Sequence, residues 1–212
     1  GSGGEVGTDI KVDSNSCIYA CGSTNSFDFP TLNSYQSSIA VNDIFVAKLT
    51  SSGSGLIYSS YLGGDSYDEN SRMALDSEGC VYISGNTGSR DFPTQNPAQS
   101  SKSGGWDGFI TRFASTGSYL IFSTYVGGSE DDNCNGIALD SSNNIYITGS
   151  LGWKDEEYRE EGASVWISKY SPAGTHLDGA AMANTGGSGH AIAVDSVGGV
   201  YIAGNASGIY RI

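Results

Sequence analysis

The stretch Ile137-Ala138-Leu139-Asp140-Ser141-Ser142-Asn143-Asn144-Ile145-Tyr146-Ile147-Thr148-Gly149 is an apolar run, a polar turn and a second apolar run closed by glycine. The chain writes the same pattern from Ile10, from Met73 and from Ile192. Its tyrosine recurs at Tyr19, Tyr82, Tyr146 and Tyr201, at spacings of 63, 64 and 55 residues. Self-similarity at a long period marks a repeat architecture. Short runs of Ile, Val and Tyr bounded by Asp, Ser, Asn and Gly read as strands and turns. No segment shows a useful helical period.

Working outward, each full unit reads as four short strands. The first unit has them at 8–12, 17–21, 44–49 and 56–62, with a long polar loop from 22 to 42. The second has 72–75, 80–84, 108–113 and 119–126. The third keeps 136–139, 144–148 and 165–170, ends on a weak strand at 177–183, and carries a charged insertion in its long loop. The fourth has 191–194, 199–203 and a last candidate at 208–212. Apolar side chains occur on both parities, as in Val81-Tyr82-Ile83 and Leu120-Ile121-Phe122. Strands buried on one face would alternate instead. A unit apolar on both faces must stack against neighbours. The expected fold is all-β, a β-propeller of four-stranded antiparallel blades. It forms a single array over 1–212, in units of about 8–64, 72–128, 136–187 and 190–212. The opening Gly1-Ser2-Gly3-Gly4 fits two origins, an expression remnant or the tail of an upstream repeat. Gly63-Gly64 and Gly127-Gly128 precede the other copies, so the second is favoured and the chain is expected to be a piece of a longer protein.

The net charge is −13, with only ten Lys and Arg, and these do not cluster. A nucleic-acid binder needs a basic face to displace counterions, so nucleic acid and anionic membrane are poor partners. No apolar run approaches the roughly 20 residues of a membrane-spanning helix. The four cysteines make no zinc pattern. Cys17 and Cys21 on one strand stand roughly 13 Å apart, too far for a mutual disulfide. Small buried thiols are expected, with a bridge to Cys134 as the alternative.

Several motifs recur together. They are Asp-x-x-Gly-x-x-Tyr-x-x-Gly (Asp76, Gly79, Tyr82, Gly85), Asp-Phe-Pro-Thr (from Asp28 and Asp91), Asp-x-Phe (Asp43–Phe45, Asp107–Phe109) and Tyr-Ser-Ser-Tyr-Leu-Gly-Gly (Tyr58–Gly64, with Phe122–Gly128). The combination resembles the SBBP repeat family of bacterial-type β-propellers. The first two units match throughout and the others in part. The resemblance implies a propeller, often in large secreted or surface proteins, and carries no agreed catalytic residues.

The repeated Asp13, Asp76, Asp140 and Asp195 precede tight turns, where a carboxylate accepts backbone N–H bonds. Phe29 and Phe92 are expected to tuck in and anchor the long loops. The acidic links between units offer Asp65, Asp68, Glu130, Asp131 and Asp132 as candidate calcium ligands, since calcium takes clustered carboxylate oxygens. Solvated turns are the alternative, and no other cofactor is indicated. Trp153 and Tyr158, in the charged insertion, are candidates for a contact surface. Trp166 aligns with Phe45 and Phe109 and reads as core. Asn205-Ala206-Ser207 is a glycosylation sequon. His176 and His190 sit in no metal spacing, and no nucleophile–base order or phosphate loop appears. The expectation is therefore a non-enzymatic extracellular or cell-surface scaffold. Its expected partners are further copies of itself, other surface proteins or glycans. The alternatives are a carbohydrate- or protein-binding propeller and, less favoured, a glycan hydrolase or lyase.

Overall fold

The four copies of the opening hairpin become the two innermost strands of four successive antiparallel sheets. The computed structural model describes residues 1–155, 160–181, 187–205 and 209–211, with side chains outside 153–163 and 206–212. The first blade is β1 (Glu5–Val12), β2 (Ile18–Thr24), β3 (Asp43–Leu49) and β4 (Leu56–Leu62). The second is β5 (Asp68–Leu75), β6 (Val81–Thr87), β7 (Asp107–Phe113) and β8 (Leu120–Val126). The third is β9 (Asp132–Leu139), β10 (Ile145–Asp155), β11 (Glu160–Tyr170) and β12 (His176–Ala181). The fourth holds β13 (Gly189–Val194), β14 (Val200–Gly204) and β15 (Ile209–Arg211). Within each sheet the strands lie in chain order, as in a propeller blade. No helix among the described residues is long and apolar enough to cross a membrane.

Three details differ from the sequence reading. The charged insertion of the third unit is strand where it is described. β10 and β11 extend into it from either side, pairing Trp153 with Gly162 and Asp155 with Glu160. The last strand of that blade is His176–Ala181. Gly3-Gly4 does not occupy the place of Gly63-Gly64. Ser2 N–H donates to Asp28 Oδ1 and Gly3 N–H to Ser26 Oγ. Asp65 and Ser66 make the same bonds to Asp91 and Ser89, so Gly1 stands where Gly64 stands.

The core lies between blades. Tyr19, Cys21, Ile44, Val46, Tyr58 and Leu62 of the first blade pack on Met73, Val81, Ile83, Phe109 and Phe113 of the second. Tyr82, Ile110, Phe122 and Val126 then pack on Cys134, Ile145, Ile147, Trp166 and Tyr170 of the third. Tyr146, Val165 and Ile167 pack on Val200 and Ile202 of the fourth. Alternate residues of one strand thus serve opposite junctions, which is why both parities are apolar.

The glycine that ends the repeat has a steric cause. Gly22, Gly85 and Gly149 pair across the sheet with Phe45, Phe109 and Trp166. The inner strand bulges beside them. A Cβ on Gly85 would stand 2.8 Å from the Glu69 carbonyl and 2.9 Å from the Phe109 ring. Only glycine admits both neighbours.

A second glycine ties one blade to the next. Gly174, in the turn before β12, has φ +87°, and a Cβ there would stand 2.7 Å from the Phe122 ring of the second blade. Gly198 has nearly the same φ, +89°, with nothing within 4 Å. Gly198→Ala is expected to cost roughly 1–2 kcal/mol through the left-handed backbone alone. Gly174→Ala is expected to cost about 1–3 kcal/mol more through overpacking. Urea unfolding of the two variants measures the difference, and equal losses would mean that this turn does not bear on the second blade.

Candidate functional site

Three constellations of polar side chains stand out, and the first explains the repeat. Asp13 Oδ1 accepts the N–H groups of Asn15 and Cys17. Asp76 does the same for Glu78 and Cys80, Asp140 for Ser142 and Asn144, and Asp195 for Val197 and Gly199. The second oxygen of each accepts the hydroxyl of the repeat tyrosine, at 3.0–3.4 Å in all four units. A cation from the third strand lies over the tyrosine ring: Lys48 on Tyr19 at 4.6 Å, Arg112 on Tyr82 and Lys169 on Tyr146 at 4.9 Å. In the fourth blade Arg211 holds the same register opposite Tyr201. The sequence reading found the Asp and the Tyr. The basic residue was legible as a fourth recurring position but was missed.

This bracket is structural. Arg112 bonds Asp76 at 2.8 Å and donates to the Pro172 carbonyl of the third blade. Among the described residues the one trio with metal-ligand spacing is Asp76, Glu78 and Cys80. Both Asp76 oxygens there already hold protein donors, and Arg112 occupies the place of the cation. The Asp13 and Asp140 carboxyls are held below the ordinary range by the bonds they accept, which outweigh their burial.

The second constellation lies at the blade junctions and contains part of the predicted calcium set. Asp68 and Asp132, the first residues of β5 and β9, are buried. Asp65 and Asp131 are exposed and Glu130 is half-buried. The five do not form one cluster: two lie at the first junction and three at the second. The buried pair members meet carboxylates that the prediction omitted. A Cβ on Gly63 would stand 2.6 Å from both Asp43 Oδ1 and Asp68 Oδ2. A Cβ on Gly127 would stand 2.8 Å from Asp132 Oδ2 and 3.1 Å from Asp107 Oδ2. The Gly-Gly of each link is thus the opening between two buried carboxylates. The Asp-x-Phe motif supplied the missing members. Burial, and then the charge of Asp68, pushes Asp43 up to about 7. Burial likewise pushes Asp68 up to about 6 and raises Asp132.

The third is a cleft of about 590 Å³ between the second and third blades, lined by Tyr125, Trp166, Ser168, Tyr170 and His176 among others. It occupies the layer that Phe92 fills one junction earlier. Phe92 stacks on Phe109 at 4.4 Å and on Tyr125 at 6.0 Å, and Phe29 on Phe45 and Tyr61 likewise. The third unit has no Asp-Phe-Pro, and Ala181 replaces the tyrosine opposite Trp166. His176 Nε2 lies 2.8 Å from Ser168 Oγ. Among the described residues no carboxylate bonds the other ring nitrogen, so the pair lacks the third group that an activated nucleophile needs.

The remaining predicted positions are dispersed. Trp166 is buried and donates Nε1–H to the Asn133 carbonyl. Tyr158 lies outside the described residues, as does the side chain of Trp153. Asn205 is exposed and accepts the Ser188 N–H, while Ala206 and Ser207 of its sequon lie outside the described residues. His190 is exposed. All four cysteines are free thiols, so the bridge to Cys134 is not formed. Cys134 is instead sealed in the second junction, where burial pushes its thiol up to about 12.

With this geometry in hand, residues 121–150 match the family model described as a beta-propeller repeat, SBBP. Over those residues the chain is similar to an SBBP repeat. The matched residues run from β8 through the Gly127-Gly128 link into β10. They therefore take in the buried Asp132 and the Asp140–Tyr146 bracket. Comparison with curated proteins finds no match. Among solved structures, BamB from Moraxella catarrhalis aligns over 98% of this chain and 85% of that one, at 9% identity and a TM-score of 0.18. That alignment adds nothing to the architecture read from the sheets.

Two predictions follow from the carboxylates. Asp76→Ala leaves Arg112 buried without its counter-charge, and is expected to cost about 3–5 kcal/mol in urea unfolding. Asp43 and Asp68 are raised above their unfolded values near 4, so the stability they confer is full below about pH 4. It is lost as pH rises through 6 and 7. In chelator-treated buffer the urea midpoint should therefore be higher at pH 5 than at pH 8. Asp43→Asn should shrink that difference, and an unchanged difference would mean that Asp43 is ionised across the range.

Proposed function

We propose that this chain is a structural, non-enzymatic propeller that assembles with further copies of itself outside the cell or at its surface. One observation carries the reading. Ile10 and Val12 of β1 are 63% and 60% exposed. Their counterparts Met73 and Leu75, Ile137 and Leu139, and Ile192 and Val194 all pack on the preceding blade. The first blade thus presents the face that every later blade uses for stacking. An uncovered apolar sheet face of this kind is an association surface. The partner that fits it best is the opposite face of another blade, from an upstream repeat or from a second copy, because the repeat already makes that contact within the chain. Such a contact is heterologous, so copies add head to tail.

The constellations described above support the same reading. The conspicuous Asp, Tyr and basic side chains bond one another and the turns rather than converge on a reacting atom. The cleft between the second and third blades favours a second reading, a propeller that binds a glycan or a protein segment along Tyr125, Tyr170 and His176. Among the described residues its lining includes no Asp or Glu, which a glycan hydrolase or lyase of the usual kind would need.

Light scattering during size exclusion tests the proposal. The molar mass of the 212-residue chain should rise with concentration. Ile10→Asp combined with Val12→Asp should return it to the monomer with unchanged circular dichroism. A monomeric mass at every concentration would overturn the assembly reading and leave the cleft as the place to search.

A further inference from the structure

We propose that the junction between the first and second blades is a calcium site, with Asp43 and Asp68 as its buried ligands. The argument rests on a comparison of two equivalent junctions in one molecule. At the second junction each carboxylate oxygen has a protein donor. Asp107 Oδ1 accepts from Gly104 N–H at 2.9 Å, and Oδ2 from Ser103 N–H and Gln99 Nε2 at 3.0 Å. Asp132 Oδ1 accepts from Gly152 N–H at 2.9 Å, and Oδ2 from Gly128 N–H.

At the first junction the same two carboxylates are present, but two of their four oxygens lack a donor of ordinary geometry. Asp43 Oδ2 accepts from Gln36 Nε2 at 2.9 Å. Asp68 Oδ2 accepts from Gly64 N–H and Ser89 Oγ, each at 2.9 Å. Asp43 Oδ1 has no partner, and Asp68 Oδ1 has none of ordinary hydrogen-bond geometry beside the nearby Thr87 hydroxyl, although both residues are 0% exposed. The cause is local. The loop before Asp107 is one residue longer than the loop before Asp43, and its Ser103-Gly104 turn points two N–H groups at the carboxylate. Gly88 N–H, beside the first junction, bonds the Tyr67 carbonyl.

The unsatisfied Asp43 Oδ1 shares the space over Gly63 with Asp68 Oδ2, and two buried carboxylates so placed are costly unless a cation joins them. The site has an approach. A cleft of about 270 Å³ is lined by Gln36 and Gly63, which touch the two buried carboxylates, and by Gly64, Asp65 and Asp91. Glycine at 63 keeps the space between Asp43 and Asp68 open. The donor set is all oxygen and anionic, as calcium prefers, and water from the cleft can complete the shell. The ion would bind one blade to the next, since Asp43 begins β3 and Asp68 begins β5.

Equilibrium dialysis of the chelator-treated chain against radioactive calcium, at ionic strength fixed with sodium chloride, reads the site directly. Wild type is expected to retain one ion per chain, and Asp131→Asn to match it. Asp43→Asn and Asp68→Asn should each weaken retention by at least about tenfold. In thermal unfolding, calcium should raise the midpoint of wild type and leave that of Asp43→Asn unmoved, which separates a lost site from a lost fold. No retention by wild type at millimolar calcium would overturn the proposal. So would retention unchanged in Asp43→Asn.

Discussion

Burial of one sheet against the next is the constraint on which this molecule depends. Each blade is apolar on both faces, and a lone sheet can bury neither. A fully buried Ile, Leu or Phe stabilises the fold by roughly 1.5–3 kcal/mol, and such residues lie at every junction. The inner strands Glu5–Val12, Asp68–Leu75, Asp132–Leu139 and Gly189–Val194 recur because each begins a sheet that must cover the one before it. Stability is therefore a sum over neighbouring pairs, as in other stacked repeats.

The polar motifs serve that stacking. The Asp–Tyr bracket closes the inner hairpin, and its lysine or arginine ties the third strand to the first turn. Arg112 carries the tie onward to Pro172 in the next blade. The glycine that closes the motif lets an aromatic ring of the third strand lie against the bulged inner strand. One short sequence thus sets turn, register and aromatic packing together, which is why it reappears with so few changes.

The strands and their order were legible because a long period multiplies a weak local signal. Tyr82 alone is ambiguous, whereas Tyr19, Tyr82, Tyr146 and Tyr201 at one register are not. The turn role of the four aspartates and the tucked Phe92 followed from ordinary turn and packing chemistry. What stayed hidden depended on contacts between units. Asp43 and Asp68 are 25 residues apart and meet only because a link folds back over Gly63. The charged run from Trp153 reads as a loop because nothing in its polarity shows that β10 continues to Asp155 and β11 begins at Glu160. Ser168 and His176 are neighbours only through the β11–β12 pairing.

The loss of Asp-Phe-Pro from the third unit has a mechanical consequence. The first junction is closed by Phe92 against Phe109 and Tyr125, while the second has a cleft in that layer. Among the described residues the third junction is made by Tyr146, Val165 and Ile167 against Val200 and Ile202. Cohesion thus drops from the first junction to the second. Pulled or warmed, the second and third blades would part before the first and second, like plates of which only the lowest pair is glued.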